Sequence, residues 1–439
     1  MLNTLYEDHL RIQRQRTDDA LAACGFEALA IYAGASHLQF LDDQPYPFKA
    51  NPHFKLWAPL VDAADCWMIY QPTKPLKLVF LQPVDYWYKP PETPTDFWTS
   101  HFEITVIREA DQARAHTAHL PRCAFIGEWR DEFGEWGFVE RNPAALLDHL
   151  HYSRAIKTGY ELECMRRASA RAANGHHAAE AAFRTGASEY EIHLAYLRAT
   201  AHTDNDLPYP SIVALNRNAA VLHYQHLDRR APAAADRCSF LIDAGADFSG
   251  YACDITRTYS YADDEFAALI EGMHRLQQAL CAQVRSGVDY VAIHVDAHVR
   301  IANLLRESNL ITAAATDAVA SGLSSVFFPH GVGHLLGLQV HDVAGFMVSP
   351  DGAQKGRQGH PHLRLTRTLE PGFVVTIEPG VYFIDALLDG ARRSAHAEHI
   401  NWNQVERFRP WGGVRIEDDV VCTADEPENL TRLAFAARA

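Results

Sequence analysis

No two of the eight cysteines are spaced as CxxC, and no apolar run is long enough to cross a bilayer. Most of the thiols also sit in apolar surroundings. Together these features argue against a disulfide framework and for buried thiols in a reducing cytosol. The N-terminus, MLNTLYEDHLRIQRQRTDDALAA, is charged and helical in pattern and lacks the apolar core of a signal peptide, so a soluble cytoplasmic protein is expected. Basic charge is scarce: 40 Lys and Arg stand against 55 Asp and Glu, a formal net charge of -15. Nucleic acid and anionic membrane both require a basic face, and neither is expected as a partner. No internal repeat or low-complexity tract is visible. What remains is a chain of 439 residues, enough for two domains, with an ordinary 48% hydrophobic fraction.

Residues 5–24 place apolar and charged positions at helical spacing. ALAIYAG (28–34), WMIY (67–70), LKLVFL (76–81), FEITVI (102–107) and RCAFIGEW (122–129) read as strands of an α/β domain ending near residue 155. Between them, YPFKANPHFKLW (46–57) and DYWYKPPETPTDFW (85–98) are rich in aromatics and prolines and read as stiff, sticky loops, used for packing or for reaching a partner subunit or a site. A long helix over 157–184 ends near Gly186, and Ser188 with Glu191 forms a capping box for the next helix. Strands around 211–216, helices over roughly 263–285 and 290–308, and a final third of strand and loop predict an α+β domain from about residue 160 onward. GARRSAHAEHINW (390–402) reads as an irregular loop.

The chemistry concentrates in LIDAGADFSGYACDITRTY (241–259), which reads as a hairpin turning at Asp247-Phe248-Ser249-Gly250. Pairing Ala246 with Tyr251 sets Asp243 opposite Asp254. Two carboxylates in that position destabilise a sheet unless a positive charge sits between them, and a metal ion is the simplest candidate. Three further motifs supply partners. HGVGHLLGLQVHD carries His330, His334 and His341 among glycines that permit close approach. TIEPG places Glu378 at a strand end, and GVRIED places Arg415 and Glu417 on one strand face. Singly each is weak. Five candidate ligands in apolar strands or glycine-rich turns, where a charge is costly, are not surface decoration.

These motifs, DAGAD with Asp254, HGVGH, TIEPG and GVRIED, resemble those of the pita-bread metallopeptidases, the family of prolidase, aminopeptidase P and methionine aminopeptidase. FLDDQPYPFK, PVDYW, ALNRNAAVLHY and HLRLTR extend the resemblance to the bacterial prolidase branch, which includes organophosphorus acid anhydrolases, over nearly the whole chain. It implies an N-terminal α/β domain (1–158, dimerisation and pocket rim), a C-terminal α+β pita-bread catalytic domain of the creatinase/aminopeptidase type (159–439), a homodimer, and two divalent ions on Asp243, Asp254, His334, Glu378 and Glu417. By the same resemblance His341 steadies the tetrahedral intermediate, Glu378 shuttles a proton, and Arg415 orients ligand carboxylates. His223 lies at the substrate, His330 shapes the loop before His334 although the family places it near the site, Arg364 recognises a dipeptide carboxylate, and Tyr209 and Tyr290 line the pocket. Trp87 reaches it from the other subunit, and Asp43 meets the substrate ammonium.

The residues agree with that chemistry. Four carboxylates and one imidazole balance two divalent cations, and an oxygen-rich set favours Mn(II), with Co(II) or Zn(II) as alternatives. Two such ions lower the pKa of water toward neutrality. The implied substrate is a small dipeptide ending in proline, whose imide lacks an N–H. Removal of single residues from longer Xaa-Pro peptides, phosphotriester hydrolysis and a metal-free binding role are the competing readings. The last conflicts with five intact ligand positions.

Overall fold

The computed structural model describes residues 2–437 and divides into two compact units. The first holds the chain up to Cys164 with the short segments Ser249–Tyr251 and Val348–Ala353; the second holds Met165–Phe248, Ala252–Met347 and the chain from Gln354 onward. Among the described residues no helix is long and apolar enough to cross a membrane.

The first unit is built on a six-stranded mixed sheet. Its strands are β1 (Ala28–Tyr32), β2 (Trp67–Tyr70), β3 (Leu76–Leu81), β4 (Phe102–Ile107), β5 (Cys123–Ile126) and β6 (Phe138–Arg141), in the order β4-β3-β2-β1-β5-β6. The β1, β2 and β5 runs are apolar without alternation because every residue in them is buried, as in a sheet covered on both faces. The helix Leu2–Cys24 buries Tyr6, His9, Leu10, Gln13, Thr17, Ala20 and Leu21, the single stripe that its 3.6-residue period creates. Around Trp67 the core is aromatic, with Tyr32 at 4.7 Å and Phe133 at 5.0 Å between ring centroids. The two aromatic- and proline-rich segments behave differently from each other. In 46–57 Phe54 and Trp57 are buried while Tyr46 is exposed, whereas in 85–98 only Trp98 of the aromatics is buried and Tyr86 and Trp87 are 87% and 78% exposed.

In the second unit the helix Glu189–Thr200 starts at the expected capping box, Ser188 with Glu191. The helix Gly159–Thr185 stops where Gly186 takes a φ of +87°. The two later helices span Glu265–Cys281 and Tyr290–Glu307. Strands β7 (Ile212–Leu215), β8 (Ser239–Asp243) and β11 (Thr256–Ser260) form one antiparallel sheet. Between β8 and β11 lies the two-residue-per-strand hairpin β9 (Asp247–Phe248) and β10 (Tyr251–Ala252). A further antiparallel sheet contains β12 (Val374–Ile377), β15 (Asp418–Val421) and β16 (Glu428–Asn429), and β13 (Gly380–Tyr382) pairs with β14 (Gly413–Arg415).

Three expectations are corrected. The turn of the 241–259 hairpin is two residues, Ser249 and Gly250, both with positive φ (55° and 87°), which matches the strand twist better than a four-residue loop. The register therefore moves by two: Asp243 faces Thr256, not Asp254. GVRIED is not one strand but two, β14 and β15, joined through Ile416 and Glu417. Finally, 390–402 is not an irregular loop. The helix Asp385–Arg392 runs into it, the 3-10 turn Ala395–His399 follows, and the helix Trp402–Phe408 begins at its end. These elements are short and cap locally through Ser394 and Asn401, so no long periodic pattern announces them.

Candidate metal centre

The centre forms where the second unit's strands change partner. β12 pairs with β15 in a register that sets Ile377 against Asp418, and β13 pairs with β14 with Gly380 against Arg415. The register is continuous across the junction, which places Glu378 opposite Glu417. Glu417 in turn bridges to Thr256, and Thr256 pairs with Asp243. Asp243, Thr256, Glu417 and Glu378 thus form one row across four chain segments. Asp254, two residues before Thr256, shares the face of that row. His334 joins it from the glycine-rich segment: its N–H donates to Thr376 Oγ1 at 3.1 Å and its carbonyl accepts from Thr376 N–H at 3.0 Å. The preceding Gly333 is obligatory, because a Cβ there would lie 2.1 Å from the Thr376 carbonyl oxygen.

Donor atoms of Asp254, His334 and Glu417 lie within 4.8 Å of one another. His334 Nε2 is 3.5 Å from Asp254 Oδ2 and 3.9 Å from Glu378 Oε1. The Tyr209 hydroxyl contacts Asp243 Oδ1 at 2.9 Å and Asp254 Oδ1 at 2.5 Å, so it touches the carboxylates themselves. The charges conflict. Burial pushes Glu378 up to about 7 against the pull of His334 and Arg415, with the repulsion of Asp254 and Asp243 adding to it. Burial and the neighbouring carboxylates push Glu417 well above its ordinary range. Burial also raises Asp243 against the pull of Arg415. Of these four Asp254 alone goes down: burial opposes it, but His334, the Tyr209 hydroxyl and His341 together outweigh burial. Facing carboxylates destabilise a ladder, and four within one buried cluster require compensating positive charge. The donor set, four carboxylates and one imidazole, suits hard or borderline divalent ions. The residues present fit such ions.

A shell behind the row fixes it. Arg415 Nη2 donates to Asp243 Oδ2 at 2.6 Å, its Nε to Thr256 Oγ1 at 3.1 Å, and its Nη1 to the Tyr382 hydroxyl at 2.9 Å. Thr256 Oγ1 donates to Glu417 Oε2 at 2.6 Å. His330 Nδ1 contacts the Gly331 carbonyl at 2.8 Å and its Nε2 meets the Tyr382 hydroxyl at 2.8 Å, so both ring nitrogens are occupied beside Glu378, 3.7 Å away. The Asp419 carboxylate accepts the Asp254 backbone N–H at 3.1 Å. Thr256, Tyr382 and Asp419 escaped the sequence reading. Thr256 was accessible to it, since it alternates with Asp254 on one strand; the other two needed knowledge of which strands meet.

On the opposite face, Asp418 is fully buried and takes Arg257 Nη2 and Arg432 Nε at 2.7 Å each. Arg257 Nη1 also donates to the carbonyls of Thr256 and Glu417 at 2.8 and 2.7 Å, tying the two segments of the row together. Asp418→Asn leaves Arg257 buried without its ion-pair partner. It is expected to cost about 3–5 kcal/mol, read as a lowered thermal midpoint of the purified protein. An unchanged midpoint would show that this pair does not hold the row.

The remaining residues fall at different places. His341 is exposed, with its ring 4.5 Å from and perpendicular to that of His334. Burial of its ring atoms, then the charges of His334 and Arg364, lower its pKa to about 4. Arg364 is exposed and close enough to exert that effect. His223, also exposed, acts in the same way on His330 and His341. Tyr290 is fully buried, and its hydroxyl donates to the Thr376 carbonyl at 2.8 Å, beneath the His334 segment. Trp87 and Asp43 lie on exposed stretches of the first unit.

Residues 4–152 match the family described as the N-terminal domain of Xaa-Pro dipeptidase, and residues 163–424 match metallopeptidase family M24. The chain belongs to metallopeptidase family M24. Relatives within it extend end to end. The Xaa-Pro dipeptidase of Xanthomonas axonopodis pv. citri (strain 306) is 50% identical over 439 residues, covering 99% of each chain. That of Stenotrophomonas maltophilia (strain K279a) is 49% identical over 436 residues, covering 99% of this chain and 98% of the other. The fold is that of an aminopeptidase P: an aminopeptidase of Pseudomonas aeruginosa superposes with a TM-score of 0.73 at 23% identity, covering 98% of both chains. The zinc-substituted aminopeptidase P of E. coli gives 0.71 at 21% identity, over 97% of this chain and 99% of that one. An M24 enzyme depends on divalent metal, and the buried Asp254, His334 and Glu417 cluster is where this chain gathers suitable donors.

Proposed function

We propose that this M24 enzyme is an Xaa-Pro dipeptidase, hydrolysing dipeptides that end in proline. The observation that carries the reading is the end-to-end identity of about half with relatives of that name, in a chain whose buried acid–imidazole row is flanked by an exposed arginine. Asp243, Asp254, His334, Glu378 and Glu417 hold two divalent ions, Mn(II) first by the oxygen-rich donor set and Co(II) or Zn(II) next. Those ions, when bound, supply the Lewis acidity that makes water nucleophilic near neutral pH and polarises the scissile carbonyl.

The chain's own groups do the rest. His341 is neutral at pH 7 and can donate a ring N–H to the carbonyl oxygen as negative charge develops on it. An Xaa-Pro imide nitrogen carries no hydrogen, so the departing proline amine must be given a proton. Glu378, between β12 and β13, accepts that proton from the attacking water at a carboxylate oxygen and returns it to the nitrogen. Arg415 keeps Asp243 and, through Thr256, Glu417 in position while this happens. Arg364 fixes the far end by its fork on the substrate carboxylate. His223 and His330 border the substrate, Tyr209 lines the pocket, and the buried Tyr290 backs it from beneath the His334 segment.

The test is turnover of an Xaa-Pro dipeptide beside the tripeptide extended at its C-terminus. A dipeptidase cleaves the first and leaves the second nearly untouched. Comparable rates on both would make the protein an aminopeptidase P instead.

We further assign a homodimer in the cytoplasm. The first unit exposes Phe40, Leu41, Tyr86 and Trp87 at 89%, 90%, 87% and 78%, large apolar side chains that a subunit interface would cover. Within the dimer, Trp87 and Asp43 are assigned to the rim of the partner's pocket. Sedimentation is expected to give twice the chain mass of 49.1 kDa, falling toward the monomer in Tyr86→Ser/Trp87→Ser. A monomeric wild type at micromolar concentration would refute the assembly.

A further inference from the structure

One buried carboxylate has no part in the metal centre. Glu189 opens the helix Glu189–Thr200 and is 1% exposed. The helix does not need it there, since Ser188 and Glu191 already complete the cap. Instead Glu189 faces the stretch that follows β7. Its Oε1 accepts from the Leu215 N–H at 2.9 Å and from Asn218 Nδ2 at 2.8 Å. Its Oε2 accepts from the Tyr224 hydroxyl and the Asp228 N–H, both at 2.8 Å. Asn218 Nδ2 also donates to the Tyr224 hydroxyl at 2.9 Å, which closes the network. All four donors are neutral, and together they fill the acceptor capacity that makes a buried carboxylate tolerable.

The four donors come from both ends and the middle of residues 215–228. Apart from the 3-10 turn Asn216–Ala220, that stretch has no helix or strand of its own. It carries His223, which immediately precedes Tyr224. The tyrosine ring is buried and its hydroxyl is held, while the histidine next to it is exposed and interacts electrostatically with His330 and His341. Residues 222 and 223 form a turn, so the tyrosine held at its hydroxyl anchors the backbone on which the neighbouring His223 is carried.

We propose that Glu189 is the positioning residue for His223: through Tyr224 and the Asp228 amide it sets where the imidazole stands against the substrate. This rests on the dipeptidase reading and on the place given there to His223. Glu189→Gln is the informative change, because its NH2 group necessarily points a donor at donors that the carboxylate had accepted from. In the metal-loaded enzyme, His223→Ala and Glu189→Gln are each expected to lower kcat/KM on an Xaa-Pro dipeptide about 10-fold, mainly through KM. The double variant should be no worse than His223→Ala alone, because the second change has nothing left to misplace. Tyr224→Phe should act in the same direction more mildly, and metal content should stay at the wild-type value in all of them.

A Glu189→Gln loss of equal size in the wild-type and His223→Ala backgrounds would reduce Glu189 to a structural role and overturn the proposal. So would a His223→Ala enzyme of wild-type efficiency. Failure of the reaction assignment is separable. If wild type cleaves no Xaa-Pro dipeptide, the His223 ring resonances of the zinc-loaded protein still decide: displaced in Glu189→Gln they support the role, unchanged they end it.

Discussion

Asp254→Asn is expected to bring hydrolysis down by more than the roughly 100-fold that loss of a group supporting a metal ligand costs, while the fold survives. The substitution is isosteric, so packing around this nearly buried side chain is kept. What changes is charge and acceptor capacity. Asp254 meets His334 Nε2 at 3.5 Å and the Tyr209 hydroxyl at 2.5 Å, and both arrangements require its oxygens to accept. An asparagine presents an NH2 group to one of them. It also removes one of the four negative charges that balance two divalent ions. The backbone of residue 254 remains held by Asp419, which is why the loss should fall on metal content and turnover rather than on folding. Metal analysis should find two divalent ions per chain in the active wild type, none and no turnover after chelation, and less than two in the variant. A variant with near-normal turnover and full metal content would mean that Asp254 is not a ligand.

The same residue shows what could and could not be read from the chain. The expected meeting of Asp243 and Asp254 across the antiparallel ladder does not occur. Asp243 faces Thr256, and the carboxylates that do oppose each other are Glu378 and Glu417. The reason is the turn. Ser249 and Gly250 both take positive φ, so two residues close the hairpin rather than the four that the sequence suggests. The resulting shift is even, and an even shift leaves every side chain on its original face. Asp243 and Asp254 therefore still share a face as diagonal neighbours and still meet at Tyr209. A slip of one residue would have turned one of them away.

Glu378 against Glu417 was invisible for a different reason. Their pairing links segments about forty residues apart, and no local pattern in TIEPG or GVRIED specifies which strand lies beside which. The fold of the first unit was more legible, because β1, β2 and β5 are continuous apolar runs and the apolar or β-branched runs of β3 and β4 are interrupted only by Lys77 and Glu103. Its edge strand β6, FVER, is largely exposed and has no such signature. The short helical turns of 385–408 were hidden because their stability comes from packing, with Leu388, Ala391, Val405 and Phe408 buried, rather than from periodicity over a long run.

Substrate length should turn on Arg364. This guanidinium is exposed, makes no ion pair among the described residues, and stands close enough to His341 to disfavour charge on that ring. An unpaired arginine beside a site of carboxylates is placed to bind an anion from outside, and a dipeptide brings one at its C-terminus. A charge-assisted hydrogen bond of this kind is worth roughly 1.5–3 kcal/mol. Arg364→Ala should then lower kcat/KM on an Xaa-Pro dipeptide by about 10- to 200-fold, at about 1.4 kcal/mol per decade. A neutral phosphotriester has no carboxylate to hold, so any activity on it should fall far less. Arg364→Lys should recover part of the dipeptide loss, because it restores the charge without the planar fork. Metal content and thermal midpoint should not move, since the side chain touches neither the ligand row nor the Asp418 pair. Equal losses on dipeptide and phosphotriester would mean that Arg364 supports the centre itself, and the carboxylate clamp would have to be sought on another residue.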